Sequence, residues 1–297
     1  MKALKNPSLI LTLIISLTLV SAEFNMLFPV TLQDRISQGE LANILLIGTD
    51  ARPGEVQSRG DTLMLLSINA ELNKAALVSI PRDTRINYQG RNTKINMVNQ
   101  LKGPQAMCTE VGQLLNTKVE HYIATDFKGF EEIIDLLGGV YLDVDIRLYS
   151  YAAGVYLEKG YQRLNGKEAL AYARFRANPD MDIGRVQRQQ RLLSALSKQM
   201  LQVENIHLLP ELIPKFRRHV QTNISLRDMI FLAGQALQMQ DGEILLQTLP
   251  GYHYFAPFTG ASYWEVDRNI SSDLLKGLFA GQQYDVYRPA PPGVNSW

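Results

Sequence analysis

The stretch that decides the fold is Asn43-Ile-Leu-Leu-Ile-Gly48, an apolar run that ends at a glycine. A continuous apolar run of this length predicts a strand that is buried on both faces. Two more strand-like runs follow at residues 62–69 and 75–80, and the short polar stretch 70–74 between them predicts a hairpin. The first part of the folded region is therefore expected to be a sheet.

Helical and strand-like patterns alternate after these three strands. Gly138-Gly139 is expected to end one of the helices, because glycine tolerates the backbone conformation that stops a helix. The predicted helices are 103–116, 127–137, 184–203, 226–240 and 271–279, and the further strands are 119–125, 140–146 and 243–249. This alternation predicts an α/β or α+β sandwich, with no internal repeat.

Composition limits the classes of function. The hydrophobic content of 46% is ample for a core, and the formal net charge of +1 gives no bulk basic character that would indicate nucleic-acid binding. Cys108 is the single cysteine, so an intramolecular disulfide is excluded, and we expect it to be a small buried apolar side chain.

The N-terminus has the shape of an export signal. Lys2 and Lys5 precede the uncharged stretch 6–22, which is rich in Leu and Ile. Residues 1–22 are interpreted as a cleaved signal peptide or, if the apolar stretch 24–30 extends it, as a retained membrane anchor; a buried N-terminal helix is the remaining alternative. Residues 23–40 are interpreted as a linker or short helix, and 41–297 as one domain.

Acids and arginines follow the first predicted strand and precede the second. Asp50 and Arg52 come after one strand, and Arg59 and Asp61 come before the next. If these strands are neighbours, both carboxylates meet at one edge of the sheet, where a pair of carboxylates suits Mg²⁺. Surface ion pairs are the alternative. Arg82, which follows the third strand, is either structural or a further part of this site.

Five arginines fall within eighteen residues: Arg174, Arg176, Arg185, Arg188 and Arg191. In an extended segment the first two share one face, with Phe175 facing the core. Because arginine presents a planar fork of donors to phosphate oxygens, this cluster is a candidate anion site.

The last three of these arginines lie on a predicted helix that Asp182 can cap. Arg185, Arg188 and Gln189 have the spacing of one helix face, with Val186, Leu193 and Met200 opposite. The alternative is a solvated basic face, and Arg191 in particular has no predicted role beyond a solvated charge.

Other chemistries lack their motifs. The four histidines are scattered without metal-ligand spacing, and the chain has no Gly-x-Ser-x-Gly elbow, P-loop or Gly-x-Gly-x-x-Gly. Arginines with carboxylates remain, which suit phosphate or diphosphate chemistry with a metal.

The ordered set of motifs resembles the LytR-CpsA-Psr family of bacterial cell-envelope proteins, over residues 41–200. The matching stretches are Asn43–Arg52, Arg59–Thr62, Ser79–Thr84, Lys94–Asn96, Asp126–Phe130, Leu137–Val140, Leu164–Arg176 and Asp182–Gln190. The segment 201–297 has no such match and is interpreted as a C-terminal extension of the same domain.

The resemblance implies a fold, an activity and a site. The fold is α/β, with a central mixed sheet sandwiched by helices and a hydrophobic pocket for a lipid tail. The activity is transfer of a phosphoglycosyl polymer from a polyprenyl diphosphate carrier to peptidoglycan, outside the cytoplasmic membrane. Asp50 and Asp61 would hold Mg²⁺, and Asp61 or Asp182 would accept a proton. The diphosphate would be held by Arg59, Arg82, Arg174, Arg176 and Gln189, with Arg52 and Arg185 in support; Arg59 and Arg82 are also assigned catalytic roles.

Two departures from the family pattern stand out. Gly60 occupies a position that is commonly Ser, and the segment after Asn96 is less rich in small residues, which is expected to alter a wall of the lipid pocket. Two other functions remain open: a diphosphatase that uses water as acceptor, and a non-enzymatic protein that binds lipid diphosphates or regulates the envelope.

Overall fold

A computed structural model describes residues 31–50, 58–151, 153–176, 182–200, 214–238, 243–257, 259–292 and 294. The strands in chain order are β1 (Ala42–Thr49), β2 (Gly60–Asn69), β3 (Lys74–Ser79), β4 (Arg85–Tyr88), β5 (Arg91–Lys94), β6 (His121–Asp126), β7 (Val140–Val144), β8 (Leu148–Ser150), β9 (Val155–Leu157), β10 (Gly160–Leu164), β11 (Gln221–Thr222), β12 (Glu243–Thr248), β13 (Gly251–Phe255) and β14 (Ser262–Val266). The helices are α1 (Leu32–Ser37), α2 (Asn96–Leu114), α3 (Phe127–Leu136), α4 (Gly166–Arg174), α5 (Asp182–Met200), α6 (Leu226–Gln238), α7 (Arg268–Ser271) and α8 (Leu274–Phe279).

A six-stranded mixed sheet forms the centre, in the order β11-β6-β1-β2-β3-β12. β1, β2 and β3 are antiparallel neighbours, whereas β6 runs parallel to β1 and β12 runs parallel to β3. The three strands predicted from the first apolar runs and the hairpin between β2 and β3 are confirmed.

Helices cover both faces of this sheet, as the fold prediction requires. Leu45 and Ile47 of β1 belong to the main core, which also contains Met107 of α2 and Leu274 of α8. The residues that alternate with them pack on the other side with α1 and α6; Ile44, for example, contacts Met229. Burial on both faces explains why the sequence of β1 is continuously apolar.

A second core lies between α3, α4 and α5 and the short strands β7 to β10. Ile134, Val140, Leu164, Tyr172 and Leu192 are almost completely buried in it. Gly138 and Gly139 end α3 with φ values of 77° and 88°, as predicted. A Cβ on Gly139 would lie 2.8 Å from the carbonyl oxygen of Leu164, so this position accepts no larger residue without a shift.

Several element boundaries differ from the sequence prediction. Helix α2 begins at Asn96, seven residues before the predicted start, because it continues across a kink in which Gly103 has φ 80° and precedes Pro104. Helix α8 begins at Leu274, and the stretch around Ser271 belongs to the separate helix α7. The linker or short helix predicted before β1 contains α1, whose Leu32 and Ile36 are buried.

The N-terminal stretch 1–22 lies outside the described residues, so the signal or anchor there stays a prediction. Among the helices that the structure does describe, none has both the length and the apolar character needed to cross a bilayer.

Cys108 is completely buried in the main core, as expected, and its Sγ lies 3.6 Å from the backbone oxygen of His121. Burial raises the pKa of the thiol to about 12. We therefore expect Ellman's reagent at about pH 8 to leave the folded chain unmodified and to titrate one thiol in urea, since only the thiolate reacts. Rapid reaction of the folded chain would contradict this placement.

Candidate functional site

One edge of the central sheet gathers the ends of five strands. Thr49, at the end of β1, pairs with Gly60 of β2 and with Asp126 at the end of β6. On the other side, Ile80 donates its backbone N–H to Leu63, and Leu249 donates to Ser79. The end of β3 and the end of β12 therefore lie at the same edge as the start of β2. The prediction that the end of the first strand meets the start of the second strand is confirmed.

A β-bulge places Asp61 at this edge. Gly48 pairs with Thr62 and Thr49 pairs with Gly60, which leaves Asp61 as the extra residue. A Cβ on Gly60 would lie 3.0 Å from Leu63 Cδ2, so these two residues face the same core. In strict alternation Asp61, rather than Gly60, would share the face of Leu63. The bulge therefore keeps a carboxylate out of the apolar core.

Asp61 is paired with Arg82. Arg82 Nη1 donates to Asp61 Oδ1 at 3.0 Å, and Arg82 Nε lies 3.8 Å from Asp83 Oδ2. Lys94 Nζ in turn lies 2.8 Å from Asp83 Oδ1. The ion-pair alternative is thus realised for Asp61, but both side chains are less than 30% exposed. The network fixes a guanidinium at the sheet edge.

The donor set at this edge suits a cation that brings its own ligands. Asp50, which is exposed, follows Thr49, and Asp61 follows Gly60. Because Thr49 and Gly60 pair with each other across β1 and β2, each carboxylate is adjacent to one residue of this pair. Within the described ranges no group of three or more His, Cys, Asp or Glu side chains could hold a metal ion. Two carboxylates fit Mg²⁺, which keeps several waters and takes substrate phosphate oxygens.

Arg174 and Arg176 flank a packed phenylalanine. Arg174 is the last residue of α4, which corrects the expectation of an extended segment; only Phe175 begins the extended backbone, with φ −62° and ψ 137°. The Arg174 guanidinium carbon lies 4.1 Å from the ring centroid of Phe127. Phe175 packs against the second core, as predicted, while both arginines are exposed.

Helix α5 ties this arginine segment to the sheet edge. Gln189 Nε2 lies 3.2 Å from Thr62 Oγ1 and 3.3 Å from the backbone oxygen of Ala173. Arg188 Nη2 donates to the backbone oxygen of Phe175 at 2.7 Å. These contacts place Gln189 of α5 between β2 and the end of α4, next to Arg174.

The solvated basic face proposed as an alternative is wrong. Arg185 and Arg188 are only 8% and 5% exposed, and Val186 on the helix side predicted to be opposite is buried as well. Arg191 is more exposed, yet its Nη1 lies 3.1 Å from Asp145 Oδ2, so it is paired and is not simply a solvated charge. Both sides of the first half of α5 are packed.

The structure describes only some of the remaining residues that were predicted for the site. Arg59 is exposed immediately before β2. Asp182 is the first residue of α5, but its side chain is outside the description, and Arg52 lies outside the described residues altogether. The lipid-tail pocket stays a prediction.

Sequence reasoning missed Asp145. Its Oδ1 accepts from Tyr172 at 2.9 Å, and its Oδ2 lies 3.8 Å from Arg188 Nη1 in addition to the contact with Arg191. Asp145 thus anchors α5 to the segment after β7. The only signal for it was its place at the end of an alternating strand, which does not identify a partner.

Known proteins are similar to this chain in sequence and in fold. A model of the LytR_cpsA_psr family matches residues 21–279. The regulatory protein MsrR of Staphylococcus aureus is 34% identical over 241 residues, which cover 79% of this chain and 73% of MsrR. A protein of Bacillus mycoides, the polyisoprenyl-teichoic acid–peptidoglycan teichoic acid transferase TagU, is 34% identical over 200 residues, which cover 66% of this chain and 64% of TagU.

Solved structures of proteins with similar sequences have the same fold. TagV of B. subtilis superposes with a TM-score of 0.71 at 28% identity, covering 83% of this chain and 99% of TagV. The structure of TagT bound to LI-WTA gives a TM-score of 0.65 at 25% identity, covering 82% and 91%. From the match of the family model over most of its length, with the motif order and the fold in agreement, this chain belongs to the LytR_cpsA_psr family.

Proposed function

We propose that this chain transfers a phosphate-linked glycopolymer from a polyprenyl diphosphate carrier to peptidoglycan. The observation that carries the proposal is the convergence of the Asp61–Arg82 pair, Gln189 and the segment with Arg174 and Arg176 at one sheet edge. This set joins cationic forks to carboxylates, which is the equipment for cutting a diphosphate. The names of TagU and of the TagT complex support the same class of substrate.

The residues divide the work by charge. The arginines and Gln189 hold the diphosphate oxygens and offset the charge that develops on the transferred phosphate and on the leaving group. The set assigned to this role is Arg52, Arg59, Arg82, Arg174, Arg176, Arg185 and Gln189. Asp50 and Asp61 are the proposed holders of Mg²⁺, which would supply charge neutralisation between the phosphates when bound.

The reaction conserves one phosphate in the product. The acceptor hydroxyl oxygen bonds to the phosphorus next to the sugar polymer, and the bond from that phosphorus to the bridging oxygen breaks. Polyprenyl monophosphate leaves, and the hydroxyl proton passes to Asp61 or Asp182. The product is a phosphodiester, and the diphosphatase alternative would give a phosphomonoester instead.

The site is proposed to work on the outer face of the cytoplasmic membrane, where donor and acceptor both lie. The support is the apolar stretch 6–22 behind Lys2 and Lys5, interpreted as a signal or anchor.

Replacing Arg176 with Ala is expected to lower the rate of transfer roughly ten- to a hundredfold, because one charge-assisted contact to the diphosphate is lost. The rate is measured with a purified lipid-linked donor and a peptidoglycan acceptor. Arg91→Ala is the matched control, since Arg91 is an exposed arginine on β5. A wild-type rate in the Arg176→Ala chain would remove Arg176 from the site.

A further inference from the structure

Five tyrosines are concentrated in a short part of the chain and are all exposed. They lie between positions 141 and 161, although the whole chain has only 13 tyrosines. Their exposed fractions are 49% for Tyr141, 51% for Tyr149, 87% for Tyr151, 52% for Tyr156 and 75% for Tyr161. An outward aromatic concentration of this kind marks a surface that meets a partner.

The strand pattern explains why the rings face outward. β7 alternates buried and exposed residues, and its Val140, Leu142 and Val144 fill the second core. β10 pairs with β7 in antiparallel register, and the small β8–β9 sheet likewise buries Leu148 and Leu157. On such a half-buried sheet the outer positions are ordinarily polar. Tyrosine occupies many of them here.

The rings form two groups. Tyr141 and Tyr161 stack with centroids 6.0 Å apart and planes inclined by 20°. Tyr149 packs edge-on against Tyr151 at 4.7 Å and lies 6.4 Å from Tyr156. The two residues of the first pair stay 49% and 75% exposed, so both remain accessible to a partner.

Tyr141 and Tyr161 line a groove of about 760 Å³ between this surface and α5. Polar side chains complete its lining, among them Asp143, Asp145, Arg191 and Lys198. The groove mixes apolar faces with hydrogen-bonding groups. A pyranose ring needs this combination, because it has an apolar face of C–H groups and a polar edge of hydroxyls.

The groove is connected to the candidate site. Asp145, in its lining, contacts Arg191 and Arg188. Arg188 in turn holds the backbone oxygen of Phe175, between the two exposed arginines of the site. Side-chain contacts therefore link the part of the groove beside Asp145 to the segment that is proposed to hold the diphosphate.

The net charge of this part of the chain indicates which polymer of the proposed reaction, the donor or the acceptor, fits the groove. Residues 140–165 contain three acids, Asp143, Asp145 and Glu158, and three bases, Arg147, Lys159 and Arg163, so this part of the chain is formally neutral. A polyanion such as the phosphate-linked donor needs a basic surface. An uncharged sugar chain does not.

We propose that the groove beside Tyr141 and Tyr161 binds the glycan strand of the peptidoglycan acceptor, with sugar rings stacked on the tyrosines. The naming of this glycan as the acceptor rests on the proposed function; the binding of a neutral glycan does not. A membrane surface is disfavoured because the large exposed apolar side chains of this segment are all tyrosines and acids lie among them.

The test is co-sedimentation of the full-length chain with peptidoglycan sacculi stripped of phosphate-linked polymers by hydrofluoric acid. We expect the Tyr141→Ala/Tyr161→Ala double variant to bind roughly ten- to a hundredfold more weakly, because two aromatic rings that the bound sugar would cover are lost. The Tyr141→Phe/Tyr161→Phe variant keeps the rings and is expected to bind within about threefold of wild type. Leu72→Ala is the control, since Leu72 is also 49% exposed but lies in the turn between β2 and β3.

Wild-type pelleting of the alanine variant overturns the proposal, whether the tyrosines then contact lipid or nothing. Equal losses in the alanine and phenylalanine variants also overturn it, because stacking would not be the cause. Circular dichroism checks that each variant is folded. If wild-type chain transfers no polymer but binds stripped sacculi through these tyrosines, the proposed function fails while glycan binding stands.

Discussion

Replacement of Arg82 by Ala is expected to lower the rate of polymer transfer by about a hundred- to a thousandfold. Arg82 contacts Asp61 at 3.0 Å and lies at the end of β3, so its loss removes a proposed phosphate contact and also leaves a half-buried carboxylate without this partner. Two parts of the proposed site change together. The effect is therefore expected to exceed that of Arg176→Ala, which changes one.

The measurement is the initial rate with the lipid-linked donor, compared with Arg82→Lys and with the exposed control Arg91→Ala. Lysine retains the charge opposite Asp61 but lacks the planar fork, so we expect an intermediate rate. Urea unfolding separates catalysis from stability, because a partly exposed ion pair contributes only about 1 kcal/mol or less. A rate within about threefold of wild type would show that Arg82 is only structural.

Arg188→Ala is expected to lower the free energy of unfolding by about 3 kcal/mol, because it breaks a buried charge network. Arg188 is 5% exposed, donates to the backbone oxygen of Phe175 and lies 3.8 Å from Asp145. Arg191→Ala is the matched control. Arg191 contacts the same carboxylate, at 3.1 Å, but its side chain is 47% exposed, so its loss is expected to cost less than about 1 kcal/mol.

Urea denaturation followed by circular dichroism measures both variants. Transfer by Arg188→Ala is also expected to fall below that of Arg191→Ala in conditions where both are folded, since Arg188 holds the backbone between Arg174 and Arg176. Equal losses of stability in the two variants would contradict the prediction that the buried Arg188 contributes more to the free energy of unfolding than the exposed Arg191.

The sequence alone predicted the strands and helices whose buried positions can be recognised from the pattern of apolar residues within the element itself. The run Asn43–Gly48 is apolar at almost every position because both faces of β1 are covered. Helix α2 was predicted too short because Gly103 and Pro104 resemble a helix start, whereas the buried Val98 and Asn99 before them belong to the same helix across a kink. Boundaries of this kind depend on tertiary packing.

In the candidate site, the sequence predicted the positions of only those residues that lie next to the end of a strand. Asp50, Asp61 and Arg82 could be placed at one edge because each lies beside a strand terminus. The bulge at Asp61 depends on the register of β1 against β2. The burial of Arg185 and Arg188 depends on how α5 packs, and a basic spacing pattern does not distinguish a packed face from a solvated one.

The tyrosine surface was missed for a related reason. β8 and β9 have three residues each, too few to show an alternating pattern, and tyrosine is common both in cores and on binding surfaces. The burial of alternate residues in the folded chain shows which side of each short strand faces outward.

The central claim is that a diphosphate is cut at the sheet edge and that one phosphate joins the polymer to peptidoglycan. Its most direct test is a mass spectrum of muramidase-digested peptidoglycan after reaction with the wild-type chain, Mg²⁺ and the lipid-linked donor. We predict a muramic acid residue joined to the polymer through a phosphodiester, formed only when acceptor is present. Release of polymer phosphomonoester at the same rate with and without acceptor would contradict the claim and identify a diphosphatase.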